Sequence, residues 1–254
     1  MDTQQKTYGK VTRSFILAYG VISYMIFFVT FLYAIGFLGG FLVPTSLDGL
    51  ADANTWQALA IDLGLLSLFA VQHSVMARPG FKAALTRYWP AQIERSLYVA
   101  MSALALYVLY RFWLPMPTMV WTIELEVARM IVWVIAGLGW TIVLFATFLL
   151  NHFELFGLRQ IWHDLTSQEM PSSSFRTPLF YKLVRHPIYT GFLIAFWATP
   201  DLSVGHLLFN LGMTAYILIG VRYEERDLKA DLGQAYIDYT KQVGKVIPGV
   251  GKSA

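Results

Sequence analysis

Arg185, His186 and Tyr189 fall in the stretch LVRHPIYTGF, where a guanidinium, an imidazole and a phenol stand at the threshold of an apolar run. Further on, RYEERDL sets Glu224 and Glu225 side by side. A cation and an imidazole beside the free N–H groups of a helix start suit an anionic group, and carboxylates suit an ammonium or a hydroxyl. Asp62 and His73 form a second candidate set, because they are ionisable residues within an apolar stretch. At about 100° per residue, their spacing returns to within about 20° of one helix face. An intramembrane carboxyl is a functional candidate by default; the plainer accounts are a protonated Asp62 bonded to a neighbouring helix and an interfacial His73. His152 and His163 could complete the site, and a solvated loop position is the plainer account of each.

The elements that must position these residues are membrane helices. The 254 residues are 56% hydrophobic and 14% charged, well outside the range of soluble domains. A hydrocarbon core of roughly 30 Å takes about 20 apolar residues as helix. The pattern predicts an all-α, polytopic membrane protein of about six transmembrane helices in a single domain, residues 1–254. Four helices occupy 14–150: Ser14 to Val43, Thr55 to Met76, Arg95 to Leu114 (ended by LPMP) and Val127 to Leu150. Residues 151–254 hold a loop, a tight helical pair, Pro187 to Pro200 and Val204 to Val221, and a tail. The fifth helix is short: about 14 residues at about 1.5 Å each reach roughly 21 Å.

Charge placement supports the same count. Of the 19 lysines and arginines, all but Arg111 and Arg129 fall at the N-terminus (Lys6, Lys10, Arg13), in the second and fourth loops, or in the tail. Cytoplasmic loops collect positive charge, so both termini are expected in the cytoplasm and the protein in the cytoplasmic membrane. Arg185, His186, Tyr189, Glu224 and Glu225 then meet at the cytoplasmic face. His73 lies at the cytoplasmic end of the second helix, Asp62 nearer mid-membrane, and His206 on the opposite side, where it is set aside.

Several classes drop out. Without cysteine, disulfides, thiolate metal sites and cysteine nucleophiles are excluded. The five histidines lack the spacing of a zinc site, so no metal is expected. GKVIPGVGK has the glycines of a phosphate loop, but Val250 stands where the lysine should be. The first apolar segment is too long for a cleaved signal and is expected to remain as an anchor. Topology accounts for the basic balance without a nucleic-acid partner, and no protein partner is implied.

LVRHPIYTGF followed by YEERDLKADLGQAYIDYTKQVGKVIP resembles the C-terminal signature of the integral-membrane methyltransferases related to isoprenylcysteine carboxyl methyltransferase and phospholipid methyltransferases. The match covers residues 178–248. The whole chain, with NHFELFGLRQ before the motif, resembles most the bacterial methanethiol S-methyltransferases.

This resemblance implies S-adenosylmethionine as cofactor, bound by Arg185, His186, Tyr189, Glu224, Glu225, Tyr236 and Tyr239. Arg185 and His186 would take its carboxylate, the glutamates its ammonium or ribose, and the tyrosines would wall the adenine or sulfonium. It also implies a small thiol as acceptor. Burial raises a thiol's pKa, so a proton acceptor is expected, with His73, Asp62 and His163 the candidates. The alternatives are a lipid or prenylated acceptor and a non-catalytic membrane transport or assembly factor.

Overall fold

The computed structural model describes residues 9–50, 53–170 and 175–253; Lys6 lies outside them. Ten helices appear among these residues: α1 (Lys10–Gly39), α2 (Thr55–Met76), α3 (Pro79–Thr86), α4 (Glu94–Phe112), α5 (Glu126–Leu149), α6 (His152–Leu155), α7 (Leu158–Leu165), α8 (Pro187–Trp197), α9 (Val204–Leu232) and α10 (Gln234–Gln242). Five are long and apolar enough to cross a membrane: α1, α2, α4 with the short turn before it, α5 and α9. The protein is an all-α, multi-pass membrane protein.

The fifth expected span, α8, has 11 residues, shorter than the sequence suggested. Pro200 disfavours helical backbone at Thr199, and the chain leaves the helix at Ala198. The DLS link is not a bare turn. Asp201–Ser203 forms a strand, β2, antiparallel to β1 (Met119–Thr122). Beside it Arg129, one of the two cations outside the basic loops, grips Asp201 with two hydrogen bonds of 2.9 and 2.6 Å. The sixth expected span, α9, runs past Val221 to Leu232, its charged end RYEERDLKADL continuing as helix until Gly233.

The described residues form two compact units. One draws on Met1–Ala34, Ser67–Phe112 and Asn151–Ser172; the other on Ile35–Leu66, Trp113–Leu150 and Ser173–Ala254. In the first, Ile16, Ile93 and Ile161 make a small buried core. Arg13 of α1 bonds the Asp164 carbonyl at 2.8 Å and Ser167 Oγ at 2.6 Å, while Gln92 donates to Asp164 Oδ1 at 2.8 Å.

In the second unit α5 and α8 touch backbone to backbone. A Cβ on Gly139 would come within 2.6 Å of Ala195 N, and one on Gly191 within 2.7 Å of Gly139 O. Small residues permit this approach, and close van der Waals packing is what joins helices where lipid removes the hydrophobic drive between them. The cross-packing of α5 fixes where α8, and so the start of its RHP motif, can lie.

Candidate functional site

The motif residues come together in the second unit, and the tail makes them meet. After α10 the chain turns back: Arg185 N donates to Gly244 O at 2.8 Å, His186 N to Lys245 O at 3.1 Å, and Thr190 Oγ1 to Val246 O at 2.7 Å. The glycine-rich GKVIPGVG is the turn that permits this return. At Gly244 a Cβ would meet Ile247 O at 2.3 Å and Gly249 N at 2.7 Å, so backbone would have to move for any side chain.

Arg185 is the pillar of this arrangement. Its side chain is fully buried, with Nη2 2.5 Å from Glu225 Oε1 and Nε donating to the same oxygen at 2.7 Å. Nη1 donates to the carbonyls of Thr240 and Val243, and Nη2 to that of Gly251 at 3.1 Å. Each nitrogen therefore has a protein acceptor, and the guanidinium ties three carbonyls of the tail to Glu225 of α9.

His186 is the N-cap residue of α8, with Pro187 in the first turn, where the missing N–H costs nothing. Its Nε2 lies 3.3 Å from Glu225 Oε1 and its Nδ1 3.7 Å from Glu224 Oε2; Tyr189 packs on the ring at 5.7 Å between centroids. Glu225 Oε2 is 3.5 Å from Lys245 Nζ. The apolar part of α9 ends at Val221, so Glu225 lies beyond the spanning segment. Burial pushes its carboxyl up, but hydrogen bonds from His186 and Arg185 and their charges outweigh this and hold it down at about 2. Glu224 differs from its neighbour in being half exposed.

The tail aromatics stand beside this ion cluster. Phe175 meets Tyr236 and Tyr239 edge to face at 6.0 and 5.4 Å. The Tyr239 hydroxyl donates to Tyr181 O, and burial pushes its phenol up to about 12. The Tyr236 hydroxyl is buried with no hydrogen-bond partner among the described residues. Burial, and then the charge of Glu225, raise its phenol as well.

The proton-acceptor candidates take separate positions. Asp62 is fully buried and accepts from Leu114 N, in LPMP, at 3.0 Å. In the first unit, His73 holds Ser102 Oγ at 2.9 Å on Nδ1 and the Tyr98 hydroxyl at 2.5 Å on Nε2. Both ring nitrogens are thereby oriented. His152 is buried, not solvated: its Nε2 meets the Tyr24 hydroxyl at 2.8 Å, and Phe156 lies 4.8 Å from its ring. Burial lowers its pKa. His163 sits on α7, its Nδ1 buried without a partner among the described residues.

Comparison with known proteins agrees with the motif. The chain is 47% identical over 236 residues to methanethiol S-methyltransferase of Mycobacterium tuberculosis, covering 93% of this chain and 97% of that protein. It is 45% identical over 253 residues to methanethiol S-methyltransferase of Crocosphaera subtropica, covering 99% of each. The chain belongs to the methanethiol S-methyltransferase family. A relative with another name, nurim of Sus scrofa, is 32% identical over 233 residues, covering 85% of this chain and 87% of its own. No family model and no solved structure matches.

For a methanethiol S-methyltransferase family member, reading residue types found the cluster but missed its wiring. Lys245 as a partner of Glu225, and Tyr98 and Ser102 as partners of His73, carry no local signal, because each is ordinary for a basic tail or a membrane helix. The turn at Gly244 did have one. Its glycine spacing was visible and marks a chain reversal.

Proposed function

We propose that this protein transfers a methyl group from S-adenosylmethionine to methanethiol, forming dimethyl sulfide. The observation that carries the reading is identity of 45–47% over more than nine-tenths of the chain to proteins named for that reaction. The motif cluster suits the donor chemically. A half-exposed Glu224, a buried Tyr236 hydroxyl in need of a partner and a wall of aromatics answer to an ammonium, a ribose hydroxyl and an adenine. When bound, S-adenosylmethionine supplies an electrophilic methyl group on a sulfonium.

In this reading Arg185 is a positioning residue, because its nitrogens are spent on Glu225 and the tail carbonyls. Glu224, His186, Tyr189, Tyr236 and Tyr239 are left to contact the donor, and Glu225 holds His186. His73 takes the thiol proton through a hydroxyl: both ring nitrogens are hydrogen-bonded, to Ser102 Oγ and to the Tyr98 hydroxyl, so the thiol gives its proton to the hydroxyl that donates to the ring, and that hydroxyl passes its own to the imidazole. Asp62 and His163 are the reserve candidates. The charge pattern supports the cytoplasmic membrane, with both termini in the cytoplasm.

The test is purified protein in lipid nanodiscs with S-adenosylmethionine and methanethiol, dimethyl sulfide being measured by gas chromatography. Wild type yields dimethyl sulfide. His73→Ala loses about 10²- to 10⁴-fold in turnover and recovers partly as pH rises and the thiol ionises itself, with donor affinity unchanged. No dimethyl sulfide, with label appearing instead on a lipid or prenylated acceptor, would overturn the reading. A normal rate in His73→Ala with a loss in Asp62→Asn moves the proton to Asp62.

A further inference from the structure

A basic, aromatic loop joins two membrane-spanning helices of the first unit and takes no part in the proposed reaction. α2 ends at Met76 and the next span begins at Ala91, so the connection, residues 77–90, is held at the bilayer surface from both sides. It carries Arg78, Lys82 and Arg87, and no acidic residue stands between Ala77 and Ile93. Glu94 is the first, and it lies 3.7 Å from Lys82 Nζ. Arg87 is exposed, and its guanidinium lies 5.8 Å from the centre of the Tyr88 ring.

The loop is built, not slack. In α3, Phe81 and Leu85, one turn apart, are half-buried. The helix then closes with Tyr88 N and Trp89 N both donating to Leu85 O, at 3.1 and 3.0 Å. Pro90, whose ring fixes φ, follows at once and starts the turn into α4. Tyr88 and Trp89 are left 77% and 58% exposed on consecutive residues beside Arg87. Rings with an apolar body and a polar edge belong where lipid chains meet water. A guanidinium among them calls for an anion, and at that depth of a bilayer the anion is a lipid phosphate.

We infer that Arg87, Tyr88 and Trp89 form a binding site for an anionic phospholipid of the leaflet that this loop faces, the guanidinium on the headgroup phosphate and the two rings among the glycerol and the first chain carbons. A zwitterionic lipid brings the same phosphate together with an ammonium, which a loop bearing three cations and no acid of its own repels. A lipid of net negative charge meets no such repulsion, so the site selects by charge. A soluble protein partner would use the same residue types, but the spans on either side keep these rings at the lipid surface. The inference depends neither on the proposed reaction nor on which side of the membrane is cytoplasmic.

The experiment uses the full chain in phosphatidylcholine nanodiscs. The chain has no cysteine of its own, so bimane on Ala84→Cys, an exposed position of α3, is a unique label. It is quenched by lipids carrying a nitroxide high on the acyl chain, with either a phosphatidylglycerol or a phosphatidylcholine headgroup. Phosphatidylglycerol is expected to quench at about fivefold lower mole fraction, the worth of one basic residue near an anionic surface, and the gap should close at high salt. In the same labelled background, Arg87→Gln should remove most of the preference and leave quenching by phosphatidylcholine unchanged. Trp89→Ser should weaken quenching by both lipids. Arg111→Gln, in the last turn of α4 at the other end of that span, should change nothing. Equal quenching by the two lipids in the labelled parent, or a preference that survives Arg87→Gln, overturns the inference. Quenching by neither lipid also overturns it and leaves the surface to a protein partner. Should Arg87→Gln fail to fold, the parent's preference and its salt dependence still decide.

Discussion

Two histidine–carboxylate pairs stand at the two ends of one helical hairpin, His186 with Glu225 at the motif end and His206 with Asp48, from the segment between α1 and α2, at the other, and they are built differently. At the motif end the carboxylate belongs to a buried network with Arg185 and His186, reached by Lys245, its side chain 8% exposed. At the other end the carboxylate is 32% exposed and serves one ring and one hydroxyl. Burial makes the first a structural commitment, since a buried charge without its partner is costly. The second leaves its carboxylate in reach of solvent, so the histidine rather than the acid faces the apolar interior. The network that binds the tail is closed on itself, whereas the pair at the other end leaves His206 Nε2 without a partner among the described residues.

The largest expected effect comes from breaking the closed network. Glu225→Ala leaves the Arg185 guanidinium, fully buried, without its counter-charge, and should cost about 3 to 5 kcal/mol of stability. The pair Arg185→Met/Glu225→Met should recover part of that loss. It cannot recover all, because the carbonyls of Thr240, Val243 and Gly251 lose their donor. Thermal unfolding in nanodiscs should rank Glu225→Ala below the double variant and the double variant below wild type. A double variant as weak as the single one would show that charge is not what the network balances.

Acid should produce a smaller effect at the same place. Glu225 has a folded pKa of about 2 against an ordinary 4.5, so its stabilisation is complete above 4.5 and is lost as pH falls through about 2. The unfolding midpoint of wild type should therefore drop across this window more steeply than that of the double variant, which lacks the group. Parallel curves would separate the carboxylate from acid stability.

The smallest effect is expected at the open end. Asp48→Asn keeps a hydrogen-bonding side chain in a partly solvated position, and should cost about 0.5 to 1.5 kcal/mol while disturbing the His206 tautomer. If it destabilised the protein as much as Glu225→Ala, the two ends would be alike and the contrast between closed and open pairs would fail.

Much of this was legible before any coordinates. The five long helices fall close to the apolar runs, because a span is set by local hydrophobic length. The exceptions mark tertiary contacts: α8 stops early at the Pro200 corner, and β2 exists only because β1 lies beside it. Residue types likewise pointed to the motif cluster, but suggested Arg185 as a ligand for the donor's carboxylate. Its nitrogens reach Glu225 and the tail carbonyls, which supports the positioning role proposed for it. A guanidinium has the same chemistry in either role, and only the position of the returning chain distinguishes them.

His206 shows the same limit from the other direction. It was set aside because its helix position placed it away from the motif, and nothing within its own segment marks Asp48, 158 residues away in sequence, as its partner. From the sequence alone came the membrane setting, the number of apolar segments, the family signature and the chemical character of the candidate groups, all of which depend on residue type and local spacing. Tertiary structure decided which groups pair and which hydrogen-bonding atoms stay open, because partners and cavities are made by segments far apart in the chain, whose approach depends on how the helices pack.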